Sequence, residues 1–225
     1  LGPNFGGISA FIGAFVLSLA VLFISNLGGR SNSMKLLLAG MALSAVCSAF
    51  SSFIVYFANN KEGMQSIAYW LMGSLAGAKW NELAVIAPVI IVSVLFFWTQ
   101  SRVLNLMLLG DETAITMGTD LHLYRQWYLL ISSLIVGFAV YAAGMIGFVG
   151  LIIPHVMRMF LGPDHKRLIP ASALVGAIFL VICDGLCRII IPHTELPIGI
   201  LISMIGAPCF IYLMIKRTYG FGGND

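Results

Sequence analysis

Charge is what this chain has least of. Only 9% of its 225 residues are Asp, Glu, Lys or Arg, where a soluble domain carries about a quarter. With 60% of residues hydrophobic, one core could not keep so much apolar surface out of water, and a bilayer is the solvent that suits the composition. The formal net charge is only +3, and the basic residues are scattered, so nucleic-acid binding is not suggested. Cysteine is scarce too. Cys47, Cys183, Cys187 and Cys209 all lie inside apolar runs, so a disulfide framework is not implied; Cys183 and Cys187 share a helix face, but no further Cys or His pair completes a metal site. They read as small apolar residues. No cofactor or metal is expected. The chain contains neither a nucleotide-binding P-loop nor an H-E-x-x-H motif, so any ATP must be hydrolysed elsewhere.

What is present is a series of long apolar runs. Ile8 to Ser25, Leu36 to Ala58, Leu83 to Trp98, Leu168 to Ile191 and Ile198 to Ile215 are each candidate spans. Met64 to Ala78 is short and Gly-rich, and reads as an interfacial or re-entrant helix with Trp70 and Trp80 at headgroup level. Trp127 to Phe160 is too long for one helix; Gly144, Gly147, Gly150 and Pro154 split it into a full span and a short one, broken near Ala143 to Gly147. The expected fold is an all-α polytopic membrane bundle of about seven membrane helices, forming one transmembrane domain over 1–225. Thr99 to Gln126 is polar and amphipathic. Its core, 102–126, is expected to lie outside the bilayer.

Orientation follows from the basic residues. Alternation from a cytoplasmic Arg30 puts nine of the twelve inside: Arg30, Lys35, Arg102, Arg125, Arg158, Lys166, Arg167, Lys216 and Arg217. Only Lys61, Lys79 and Arg188 remain outside, so the C-terminus is expected to be cytoplasmic in a cell inner membrane. Leu1 then lies outside. Leu1 to Gly7 has no initiator Met, basic n-region or cleavage site, and the chain is expected to begin within a longer gene product.

Ala143 to Pro154 reads A-G-M-I-G-F-V-G-L-I-I-P. It is followed by Gly162-Pro163-Asp164-His165, Asp184-Gly185-Leu186-Cys187-Arg188, Glu195-Leu196-Pro197-Ile198-Gly199 and Gly206-Ala207-Pro208. Upstream stand Leu36-Leu37-Leu38-Ala39-Gly40, Tyr69-Trp70-Leu71-Met72-Gly73 and Gly110-Asp111-Glu112-Thr113-Ala114 with Met117-Gly118. This ordered series resembles the FecCD-type permeases of ABC importers, which carry iron–siderophores, haem and vitamin B12. The chain is similar to the C-terminal two-thirds of such a permease. The resemblance implies a permease dimer, two cytoplasmic ATPases and an extracytoplasmic binding protein as partners, with membrane lipid around the bundle.

The resemblance also implies roles. Gly110-Asp111-Glu112 can start a short helix with two acids at its positive end, and Gly118-Thr119-Asp120 gives a turn and a second helix start. In the family such a helix pair docks into the ATPase, making Gly110, Asp111, Glu112, Ala114 and Gly118 the coupling residues; an ordinary solvated loop is the alternative. Arg188 matches a family arginine that meets a carboxylate of the binding protein, while Asp184, four residues earlier, reads as its structural partner within the helix. Asn32, Ser33 and Met34 match the family's cytoplasmic gate loosely, and Ser33 serves equally well as an N-cap. His155, after Pro154, reads as a hydrogen-bonded structural histidine at a Pro-kinked, cytoplasm-facing helix end; His122, His165 and His193 read as loop residues. Two other classes stay open. An intramembrane enzyme would use His155, Asp184 and His193, and a passive channel would conduct without ATP.

Overall fold

The computed structural model describes residues 5–27, 33–57, 61–190 and 196–216, and among them the secondary structure is entirely helical. The helices are α1 (Phe5–Asn26), α2 (Ser33–Phe57), α3 (Lys61–Met72), α4 (Trp80–Thr99), α5 (Ser101–Leu108), α6 (Asp111–Thr116), α7 (Leu121–Ala143), α8 (Val149–Leu161), α9 (His165–Ile190) and α10 (Ile198–Lys216). Four helices within α2, α4, α7 and α9 are long and apolar enough to cross a bilayer, and three shorter apolar helices lie in α1, α8 and α10. Large apolar side chains face outward, Phe50, Phe53 and Tyr56 on α2 being 65%, 61% and 83% exposed. In water such a surface would drive association; against lipid or a second subunit it is at equilibrium.

Small residues set the packing. Without a hydrophobic drive between helices in lipid, close approach and van der Waals contact hold them. α1 lies along α7, where the missing side chain of Gly137 admits the Phe11 ring, itself tilted against Phe138 with centroids 5.0 Å apart. Phe11 is near the start of α1 and Gly137 near the end of α7, so the two run antiparallel. α9 and α10 meet over Cys183, Cys187, Ile198 and Ile202, all buried. Two of the four thiols are thus packed in this seam, and Cys47 and Cys209 are partly buried and free.

The long apolar run from Trp127 breaks at Gly144–Phe148, between α7 and α8. Gly144 has φ 69° and ψ −162°, a backbone region almost confined to glycine, and Phe148 is forced to φ 64°. Non-helical backbone inside a bilayer needs internal hydrogen-bond partners. The end of α3 supplies them: Met145 N–H donates to Trp70 O at 3.3 Å, and Ala143 O accepts from Ser74 N–H at 2.9 Å. Gly73 stacks on Gly144, and Gly199 at the start of α10 packs on the Met72 carbonyl. The short α3 therefore plugs the break rather than lying loose at an interface.

Three boundaries differ from the sequence expectation. α7 starts at Leu121, not near Trp127, because Asp120 caps it and no Gly or Pro interrupts the chain before Gly137. The second helix start at Gly118–Asp120 is consequently the foot of a membrane span, and the helix that accompanies α6 is α5, upstream of it. His122 and His165 are helical residues in the first turns of α7 and α9, not loop residues, since each follows a capping aspartate. His193 lies outside the described residues.

Candidate functional site

α5 and α6 stand at the end of the bundle where α4 finishes and α7 and α9 begin. Gly110 makes the turn between them with φ 91°, a value that disfavours any side chain, and its carbonyl accepts from Ala114 N–H at 3.2 Å to open α6. α6 closes through Gly118 N–H to Ile115 O at 2.9 Å and Thr119 N–H to Ala114 O at 3.0 Å. Ala114 is fully buried where α6 meets α5 and α7, so a larger residue there would lever α6 away. Asp111 and Glu112 occupy the first turn of α6. Asp120 then accepts from His122 N–H at 3.0 Å and starts α7.

Two side chains that sequence reasoning passed over tie α9 to α5 and to the end of α4 beside it. Pro170, the sixth residue of α9, has no N–H to offer the Lys166 carbonyl one turn back. Trp98 near the end of α4 fills that vacancy, its indole N–H reaching Lys166 O at 2.9 Å. Asn105 on α5 engages the residues just before. Its Nδ2 donates to Asp164 Oδ1 at 2.8 Å, and its Oδ1 accepts from His165 N–H at 2.9 Å and lies 2.7 Å from His165 Nδ1. Because a backbone N–H can only donate, the amide orientation is determined, and the ring contact requires the proton on Nδ1. Asp164 Oδ1 also accepts from Lys166 N–H at 3.1 Å, capping α9. The Asn105 bond, then the Lys166 N–H, hold the Asp164 carboxyl below its ordinary value of 3.8. Beside this clamp, Tyr128 Oη donates to Gln100 Oε1 at 3.2 Å, linking α7 to the α4–α5 joint.

Arg188 lies at the opposite end, in the last turn of α9, where a cation suits the helix dipole. Its Nε donates to Asp184 Oδ2 at 2.9 Å, and its side chain is 51% exposed against 23% for Asp184. His155 sits in the middle of α8 and not at a helix end, because the helix runs on through Pro154 to Leu161, and its ring is edge-on to Phe210 of α10 with centroids 6.3 Å apart. Of the loosely matched gate residues, Ser33 and Met34 open α2 with Met34 exposed, and Asn32 lies outside the described residues. The residues expected to couple, Gly110 to Gly118, are thus gathered at one end and Arg188 stands at the other, a full span of α9 apart. A proline six residues into a helix was a legible sign of an unpaired carbonyl; nothing local to Trp98 or Asn105 said that they would answer it.

Comparison with known proteins decides the family. A model described as the FecCD transport family matches residues 4–216. The chain belongs to that family. It is 37% identical over 220 residues to the hemin transport system permease protein HmuU of Yersinia pestis, a match covering 96% of this chain and 66% of that protein. It is 39% identical over 209 residues to the cobalamin import system permease protein BtuC of Halobacterium salinarum, covering 93% and 56%, and 36% identical over 215 residues to the vitamin B12 import system permease protein BtuC of Salmonella typhi, covering 94% and 64%. This FecCD chain spans somewhat under two-thirds of the length of these relatives. Its fold is also similar to a solved inward-facing conformation of a metal-chelate type ABC transporter, with TM-score 0.80, 33% identity, and coverage of 95% of this chain and 72% of that one.

Proposed function

We propose that this chain forms most of the membrane permease of an ATP-driven importer for an iron chelate, haem or a corrinoid. The observation that carries the proposal is similarity along nearly the whole chain to relatives named as haemin and vitamin B12 permeases. The α5–α6 hairpin fits that reading, because a short buried-alanine helix held by two turn glycines offers a partner a rigid foot outside the apolar bundle. In this reading α5 and α6 are cytoplasmic and engage a separate ATPase, which hydrolyses the ATP. The C-terminus shares that side. Arg188 faces outward, where its planar, weakly hydrated guanidinium suits a carboxylate of an external binding protein. The exposed apolar face of α2 is covered by a second permease copy or by lipid in the inner membrane.

The test is reconstitution of the full-length permease with its ATPase and binding protein in proteoliposomes, followed by uptake of haemin and of cyanocobalamin with and without ATP. ATP-dependent accumulation of one of them is the expected result. Ion current without ATP would favour the channel reading, and product release without any ATPase would favour the enzyme. The named relatives support neither.

A further inference from the structure

We infer that Asn105 is a positioning residue that transmits movement of the α5–α6 segment into the membrane through the first turn of α9. The inference rests on the transport reading above. Among the described residues α9 is the longest helix, running from the α5–α6 end to Arg188, so a displacement of its first turn reaches the far side as rigid-body motion. The route through α7 is a sharper one, since the chain turns at Gly118, with φ 80°, between the end of α6 and the start of that helix.

The grip on α9 is built to carry load in both directions. Asn105 uses donor and acceptor at once: Nδ2 holds the Asp164 carboxylate at 2.8 Å while Oδ1 holds the next residue's N–H at 2.9 Å. A bond to a carboxylate is about twice as strong as a neutral one, and a two-point amide contact fixes direction as well as distance. Trp98 adds a third hold on the same turn at the Lys166 carbonyl that Pro170 leaves open. Around this clamp, Arg102, Leu106, Leu109, Leu161 and Pro163 line an apolar cleft of about 720 Å³, so the polar contacts are the specific ones between α5 and the α8–α9 turn.

The experiment compares wild type, N105D and the exchange N105D/D164N in the full-length permease complex, using whichever of haemin or cyanocobalamin the wild type transports. A carboxylate at 105 cannot donate and repels Asp164; the exchange restores one donor, one acceptor and the cap. N105D is expected to co-purify with the ATPase and to keep basal ATP hydrolysis, but to lose about tenfold or more in uptake per ATP, the factor one charge-assisted hydrogen bond carries. The exchange is expected to restore it to within about threefold, the usual context-dependence of such contacts. Uptake per ATP unchanged in N105D, or not restored by the exchange, overturns the relay. Loss of the ATPase from N105D also overturns it, assigning Asn105 to the docking surface. A wild-type permease that never takes up substrate with ATP would sink the transport reading instead.

Discussion

Replacing Gly144 by alanine isolates the contact that closes the break between α7 and α8. At φ 69° and ψ −162° the backbone is in a region that costs a residue with a side chain about 1–3 kcal/mol. The added Cβ would stand 2.6 Å from Trp70 O and 3.1 Å from Gly73 Cα, both backbone atoms that cannot swing aside. Moving α3 away strains the Met145 N–H to Trp70 O bond, whose net worth is about 1 kcal/mol. Against this, alanine narrows the unfolded ensemble by about 0.4–1 kcal/mol. The net expectation is a loss of about 1–4 kcal/mol by summing these effects. Gly137→Ala is the matched control. Its Cβ also meets an atom at 2.6 Å, but that atom is the edge of the Phe11 ring, which can rotate, and the site is helical. There the helix propensity of alanine, up to about 1 kcal/mol better than glycine, offsets much of the crowding. Unfolding of both variants in mixed micelles with increasing SDS, followed by tryptophan fluorescence, gives the comparison. If Gly144→Ala lies within about 0.5 kcal/mol of Gly137→Ala, the scatter of an ordinary surface change, the plug formed by α3 is not structural.

Gly110→Leu and Glu112→Lys should each weaken ATPase co-purification and uncouple hydrolysis from uptake while the bundle stays folded; normal pull-down and uptake in both would remove α6 from the coupling role. Arg188→Glu should slow and weaken docking of the binding protein, most at low salt where screening is least, with Arg188→Ala intermediate. Affinity in nanodiscs across a salt series measures this, and no change at low salt would leave Arg188 as Asp184's partner only. Trp98→Phe should cost about 1 kcal/mol in wild type but much less in a Pro170→Ala background, where the helix itself can satisfy the Lys166 carbonyl. Equal costs in a double-mutant cycle would refute that link. The Asp164 carboxyl is held below its ordinary value of 3.8, so its contribution is complete above that pH and fades as pH falls through the lower folded value. Asp164→Asn should therefore flatten the acid limb of a stability–pH curve, and an identical limb would disprove it.

Composition and run length alone determined that this is a helical membrane bundle, and the turn residues told where it breaks. Gly144 to Pro154 announced the split between α7 and α8, Gly110 the turn before α6, and Asp120 the start of a helix. These features are local: hydrophobic length, a glycine-only backbone angle and a side-chain cap are properties of a few neighbouring residues. The sequence could not show that the Asp120 helix continues unbroken into α7, because six polar or mixed residues at its foot look like loop until the helix is seen to run through them from Leu121 to Ala143. Nor could it pair Asn105 with Asp164 and His165, or Trp98 with Lys166, since those partners are separated by dozens of residues and meet only when α4, α5 and α9 pack. Tertiary structure decides such contacts because a hydrogen bond depends on distance and angle, and those are fixed by how helices pack rather than by which residues they contain.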